Sequence, residues 1–113
     1  MKILETQNAN GQNLLAIPTS ASTHLLVASD VQASTVTVPA GAKFVLFSAT
    51  KDFLAGFGTT PTLPAAFPAA GGGANTTLQE LNPTLRMINP GVVITVNAAV
   101  ATESSTISVT FYG

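Results

Sequence analysis

The side chains able to do chemistry are few and scattered. His24 is the one imidazole, and imidazole titrates near neutral pH, as a general base or metal ligand must. There is no Cys and no second His, so a zinc set built on His24 needs carboxylates for every other ligand. The carboxylates are Glu5, Asp30, Asp52, Glu80 and Glu103. A glycosidase needs two of them facing each other across a cleft. Calcium needs acids and carbonyls at short spacing, and no Asp-x-Asp-x-Asp run occurs. Each acid falls near a strand end or turn, where solvated acids are ordinary. His24 opens an apolar strand, where it reads as a structural or surface residue. The expectation is no catalytic group, no metal and no cofactor, and hence no enzyme.

Other motifs point the same way. Gly56-Phe57-Gly58 lacks a third glycine and a following helix. Gly71-Gly72-Gly73 is not followed by Lys-Ser or Lys-Thr, so neither stretch is a phosphate cradle. No Gly-x-Ser-x-Gly elbow is present. The cations Lys2, Lys43, Lys51 and Arg86 make no basic stripe, which disfavours nucleic acid as a partner. No apolar stretch approaches the roughly 20 residues that span a bilayer. The opening Met1-Lys2-Ile3-Leu4-Glu5 turns polar at once and does not read as a signal segment. Synthesis in a cytoplasm without membrane insertion is expected.

Four basic and five acidic residues in 113 leave a nearly uncharged chain of net charge −1. Soluble domains carry roughly a quarter of their residues as charges. A surface so poor in charge suits a protein that works by being covered.

The elements that must position these groups have a period of two. In Thr106-Ile107-Ser108-Val109-Thr110-Phe111-Tyr112, Ile107, Val109 and Phe111 face one side, and Ser108, Thr110 and Tyr112 the other. Ser34-Thr35-Val36-Thr37-Val38 repeats the alternation, and Pro39-Ala40-Gly41-Ala42 makes a turn. Lys43 to Ala49 is apolar on both faces and reads as a central strand, with Asp52 to Phe57 continuing it or returning beside it. Leu85 to Ile88 and Val92 to Val96 flank Asn89-Pro90-Gly91, whose Pro-Gly pair signals a type II turn. Leu14 to Ile17 and His24 to Ala28 add two strands, and Ile3-Leu4-Glu5 an edge strand. Helix is scarce: Thr76 to Leu81 offers a single turn or none before Pro83. The expected fold is all-β. It is one domain over 1–113, an antiparallel β-sandwich or jelly-roll-like barrel with one long Pro/Gly/Ala-rich loop at about 58–83.

No charge occurs between Asp52 and Glu80, and a loop that solvates itself would carry some. The loop is expected to lie against its own sandwich or a neighbouring subunit. Phe44 or Phe47 and Phe111 read as core. Phe53, Phe57, Leu63, Phe67 and Leu78 read as candidate interface anchors. Arg86 reads as a planar fork for Glu80 or for a partner's carboxylate, or as a solvated strand residue.

Three segments carry a family resemblance: Val38 to Phe53 (VPAGAKFVLFSATKDF), Glu80 to Arg86 (ELNPTLR), and the closing Ser108-Val109-Thr110-Phe111-Tyr112. Together they resemble small virion accessory proteins of tailed bacteriophages, over roughly residues 36 to 113. The resemblance implies a small β-sandwich that coats or cements a capsid, commonly as a dimer or trimer. Its partners are then other copies of itself and the major capsid protein. Its place is the virion surface after synthesis in the host cytoplasm. The family has no universal active-site motif, so no catalytic role transfers. Polar strand faces rich in Ser, Thr and Asn also allow an alternative: a tail- or capsid-associated module that recognises a host-surface glycan.

Overall fold

The computed structural model describes residues 2–3, 6–7, 13–14, 22–58, 79–100 and 102–113. The described residues form strands and turns, with no helix. β1 (Thr6–Gln7) and β2 (Asn13–Leu14) make a small separate ladder. The remaining strands are β3 (Thr23–Ser29), β4 (Ser34–Thr37), β5 (Phe44–Ala49), β6 (Phe53–Phe57), β7 (Gln79–Leu81), β8 (Leu85–Met87), β9 (Val93–Ala98) and β10 (Ser104–Tyr112). They build two four-stranded antiparallel sheets, ordered β3-β10-β5-β8 and β4-β9-β6-β7.

Those two orders are one pattern seen twice. β3 and β4, β10 and β9, β5 and β6, β8 and β7 hold matching positions in the facing sheets. The molecule is therefore a stack of four facing strand pairs, each joined at one end by an arch that crosses from one sheet to the other. Eight strands in this order make a jelly roll.

The core follows from the alternation. Ile107, Val109 and Phe111 of the first sheet and Ile94 and Val96 of the second are fully buried between the layers. Val36 and Val38 turn inward as their spacing predicts. Phe47 contacts Phe53 and Phe57 of the facing sheet at ring-centroid distances of 5.8 and 5.9 Å, the second edge-on.

The turns are local chemistry. Gly91 has φ +86° and the Val92 N–H donates to Asn89 O at 3.4 Å, the type II pattern that only glycine enters without strain. Gly41 does the same at φ +83°, with the Ala42 N–H donating to Pro39 O. The two turns cross-bond: the Val38 N–H donates to Val92 O and the Gly91 N–H to Val38 O, each at 2.9 Å.

Several expectations are corrected. β6 neither continues β5 nor returns beside it; it crosses to the facing sheet and pairs with β9 and β7. The Lys51-Asp52 bend is an arch, and so is the Asn89-Pro90-Gly91 turn, which joins strands of different sheets. Gln79–Leu81, expected in a helical turn or loop, is a strand on the edge of the second sheet. Its backbone pairs with Leu54 to Gly56 of β6, and three residues paired along their length outcompete a short helix before Pro83. The long loop therefore contains β7, and residues 59–78 lie outside the described residues. Of the expected edge strand Ile3-Leu4-Glu5, Ile3 is not in a strand and Leu4 and Glu5 lie outside the described residues; a two-residue strand follows at Thr6–Gln7. Of the expected strand Leu14 to Ile17, only Leu14 falls among the described residues.

Candidate functional site

The chemistry-bearing residues are spread along the turns and edges. His24 sits exposed on β3, edge-on to Phe111 at 5.8 Å and 73°. Asp30 Oδ2 accepts from the Thr102 N–H at 3.1 Å, joining two neighbouring arches. Asp52 Oδ1 accepts from Asn82 Nδ2 at 2.9 Å. Glu103 meets Lys51 at 3.6 Å, and Glu80 meets Arg86 at 2.8 Å. Each of these acids holds a turn or an edge. Among the described residues no three of His, Asp and Glu come together. Glu5 lies outside them.

The arches explain this placement. The β3–β4, β9–β10, β5–β6 and β7–β8 connections all lie at one end of the sandwich, because neighbouring arches run antiparallel. Asp30, Lys51, Asp52 and Glu103 therefore gather there. Ser105, buried on β10, donates to Lys51 O at 2.9 Å and ties that end together.

The candidate interface residues separate. Phe53 is 3% exposed and belongs to the core, because its register opposite Ala98 points it between the sheets. It cannot anchor a partner from there. Phe57 also faces inward and is half-buried against the core. Leu63, Phe67 and Leu78 lie outside the described residues. Arg86 is exposed on β8, and its Nε donates to Glu80 Oε2, straddling the two sheets at the β7/β8 edge. Its Nη1 donates to Leu85 O at 2.7 Å.

A surface that the sequence did not single out emerges from the register. Ile107, Val109 and Phe111 point inward, so the outer face of the first sheet carries the alternate residues. β3 contributes Thr23, Leu25 and Val27, and β10 contributes Thr106, Ser108, Thr110 and Tyr112. β5 adds Phe44, Leu46 and Ser48, and β8 adds Leu85 and Met87. None of these is charged. Met87 is 80% exposed, Leu25 71%, Val27 62% and Leu85 37%. Tyr112, expected to face outward with Ser108 and Thr110, does so but is 4% exposed. The face is thus two apolar flanks on either side of a strip of hydroxyls. Scattered exposed apolar residues are normal, but a whole sheet face without charge is what a docking surface presents.

The second sheet differs. Its outward Thr95 and Asn97 are buried, and Thr95 Oγ1 and Asn97 Oδ1 have no hydrogen-bond partner among the described residues. At the arch end, an open cleft of about 290 Å³ is lined by Lys51, Asp52, Asn82 and Thr84, with Phe47 and Phe53 behind them. Comparison with protein-family models, with curated proteins and with solved structures gives no match.

Proposed function

We propose that this chain is a structural virion protein that binds the outside of a phage head and stabilises the shell through contacts with other copies and with the major capsid protein. The observation that carries the reading is the uncharged outer face of the first sheet, where Leu25, Val27, Leu85 and Met87 stand exposed. Such a face gains free energy by being covered, on the order of 1.5–3 kcal/mol for each large side chain fully buried. Repetition over a symmetric shell multiplies weak contacts into firm attachment. The charged groups gathered at the arch end suit the side left in water. Jelly rolls occur in viral capsid domains and in lectins, which is an analogy of fold alone.

The test is copy number and mutation together. Virions of the phage that encodes the chain are expected to carry it at a number matching the capsid lattice. Met87→Lys is expected to weaken shell binding by roughly 30-fold, the loss of about 2 kcal/mol of burial. Folding should be untouched, because Met87 is 80% exposed in the free chain. Absence from virions, or unchanged binding by the variant, sinks the reading.

A second reading is a glycan-recognition module on capsid or tail. The cleft at the arch end favours it, because it sets a carboxylate, an amide and hydroxyls side by side. Glycan-array binding that is lost in Thr84→Ala and kept in Met87→Lys selects this reading over the first.

A further inference from the structure

Among the described residues, the two edges of the sandwich are not alike. One is formed by β8 and β7, strands of three residues each, and is straddled by the Glu80–Arg86 ion pair. Short strands and charges are how edges are kept from pairing with other chains. The opposite side is formed by β3 and β4. β3 runs for seven residues, Thr-His-Leu-Leu-Val-Ala-Ser, without Lys, Arg, Asp, Glu or Pro.

We propose that β3 pairs with β3 of a second copy across a two-fold axis, joining two first sheets into one continuous eight-stranded sheet. The proposal names the self-contact within the assembly reading above and rests on its premise of self-association, not on the capsid.

The backbone allows it. The Phe111 N–H donates to Ser22 O, so by antiparallel alternation His24, Leu26 and Ala28 bond to β10. Thr23, Leu25 and Val27 then direct their N–H and C=O groups away from β10, toward the open edge. Ser34 Oγ donating to Val27 O, and the Ser29 N–H donating to Gln32 O, mark the same outward side. The Val27 carbonyl keeps a second lone pair for an incoming strand.

The side chains select a second copy as the occupant. A two-fold contact sets each residue against its own strand, so any fixed charge would meet its like nearby. β3 carries none. An antiparallel register centred on Leu26 places Leu25 opposite Val27 twice, both on the outer face and both exposed in the free chain. Apolar cross-strand pairs of this kind stabilise sheets. The symmetry is isologous and closes at two copies, so it gives a dimer and not a fibre.

The area sets the strength. Seven residues at about 3.3 Å each, over a depth of about 10 Å, make a contact strip of roughly 230 Å² per copy. At about 460 Å² in all, it falls well below the roughly 1,200 Å² at which specific complexes begin, so β3 pairing alone makes a weak, transient dimer with a Kd expected toward about 1 mM.

Sedimentation velocity of the full chain, from low micromolar to near-millimolar concentration, tests the proposal. The wild type is expected to move from monomer toward dimer at the top of that range. Leu25→Lys, which sets ammonium groups near each other across the axis, is expected to raise the dimer Kd by at least about tenfold. Val27→Pro, which removes an edge-facing N–H and spares the β10 ladder, is expected to do the same while adding no charge. Circular dichroism and urea midpoints confirm that both variants fold. Met87→Lys, on the far flank, is expected to leave the dimer unchanged. A dimer that survives both β3 variants overturns edge pairing and leaves shell binding standing. A wild type that stays monomeric throughout also overturns it, and shell binding is then judged by virion copy number alone.

Discussion

Replacing Asn82 should expose how the arch end is held. Asn82 follows β7 at φ +48°, a left-handed conformation. Its own N–H donates to Phe53 O at 2.9 Å. Its Oδ1 accepts from the Phe53 N–H at 2.9 Å, and its Nδ2 donates to Asp52 Oδ1 at 2.9 Å. The amide thus acts as one more rung between β6 and β7 and fastens the β7–β8 arch to the β5–β6 arch. Asn82→Ala leaves the part-buried Phe53 N–H without its acceptor, which costs about 1–3 kcal/mol. It also places a Cβ-bearing residue without local side-chain bonding in the left-handed region, at about 1–2 kcal/mol. The expected loss of about 2–5 kcal/mol is a large part of the 5–15 kcal/mol typical of a domain. At about 4 °C per kcal/mol, the midpoint of thermal unfolding should fall by roughly 8–20 °C. Asn82→Gly loses the same hydrogen bonds and relieves the backbone strain, at an entropic cost of about 0.5–1 kcal/mol. It should therefore be somewhat the milder of the two. Urea unfolding of both variants at unchanged m-value is the assay. Losses below about 0.5 kcal/mol in both, the range of ordinary surface substitutions, would refute the ladder-rung account. Asn82→Gly proving the worse of the two would refute the backbone account.

Two smaller predictions follow the same logic. Thr102 is a β-branched residue at φ +64°, an uncommon and strained pairing. Thr102→Asn keeps the N–H that reaches Asp30 and suits this conformation better, so a gain of about 0.5–1 kcal/mol is expected, read as a rise of a few degrees in melting temperature. A fall would contradict the strain. Arg86→Met removes an ion pair whose side chains are each 43% exposed, so the loss should stay below about 1 kcal/mol and shrink further in high salt. A loss of several kcal/mol would mean that the pair governs how the two sheets join.

Much of the strand content is legible in the residues, because alternation reports directly which side chains enter the core. Ile107, Val109, Phe111, Val36 and Val38 are placed by period alone. The Pro90-Gly91 turn is likewise readable, since glycine supplies the positive φ. Pairing is not readable. An arch and a hairpin use the same turn residues, and nothing local in Lys51-Asp52 tells β6 to cross to the other sheet. The side that Phe53 takes is hidden for that reason: it depends on β9, more than forty residues later. The uncharged outer face was foreshadowed by the low charge of the chain. Its location was hidden because His24-Leu25-Leu26-Val27-Ala28 is apolar on both faces around the single His, which erases the alternation. The Glu80–Arg86 contact was among the pairings the sequence suggested, and the short β7–β8 arch brings it about.

The arch order has a consequence for biosynthesis. β10 lies inside the first sheet, between β3 and β5, and supplies the bonds that both need. A nascent chain lacking residues 104–112 has no way to close that sheet, however long it waits on the ribosome. Its early strands can only be sheltered or aggregate. Pairing between segments about eighty residues apart in sequence also makes for a slow search, so folding on the millisecond-to-second scale is expected. Cells making this chain quickly would lean on holding chaperones, and the yield of soluble product should rise as translation is slowed or the temperature lowered.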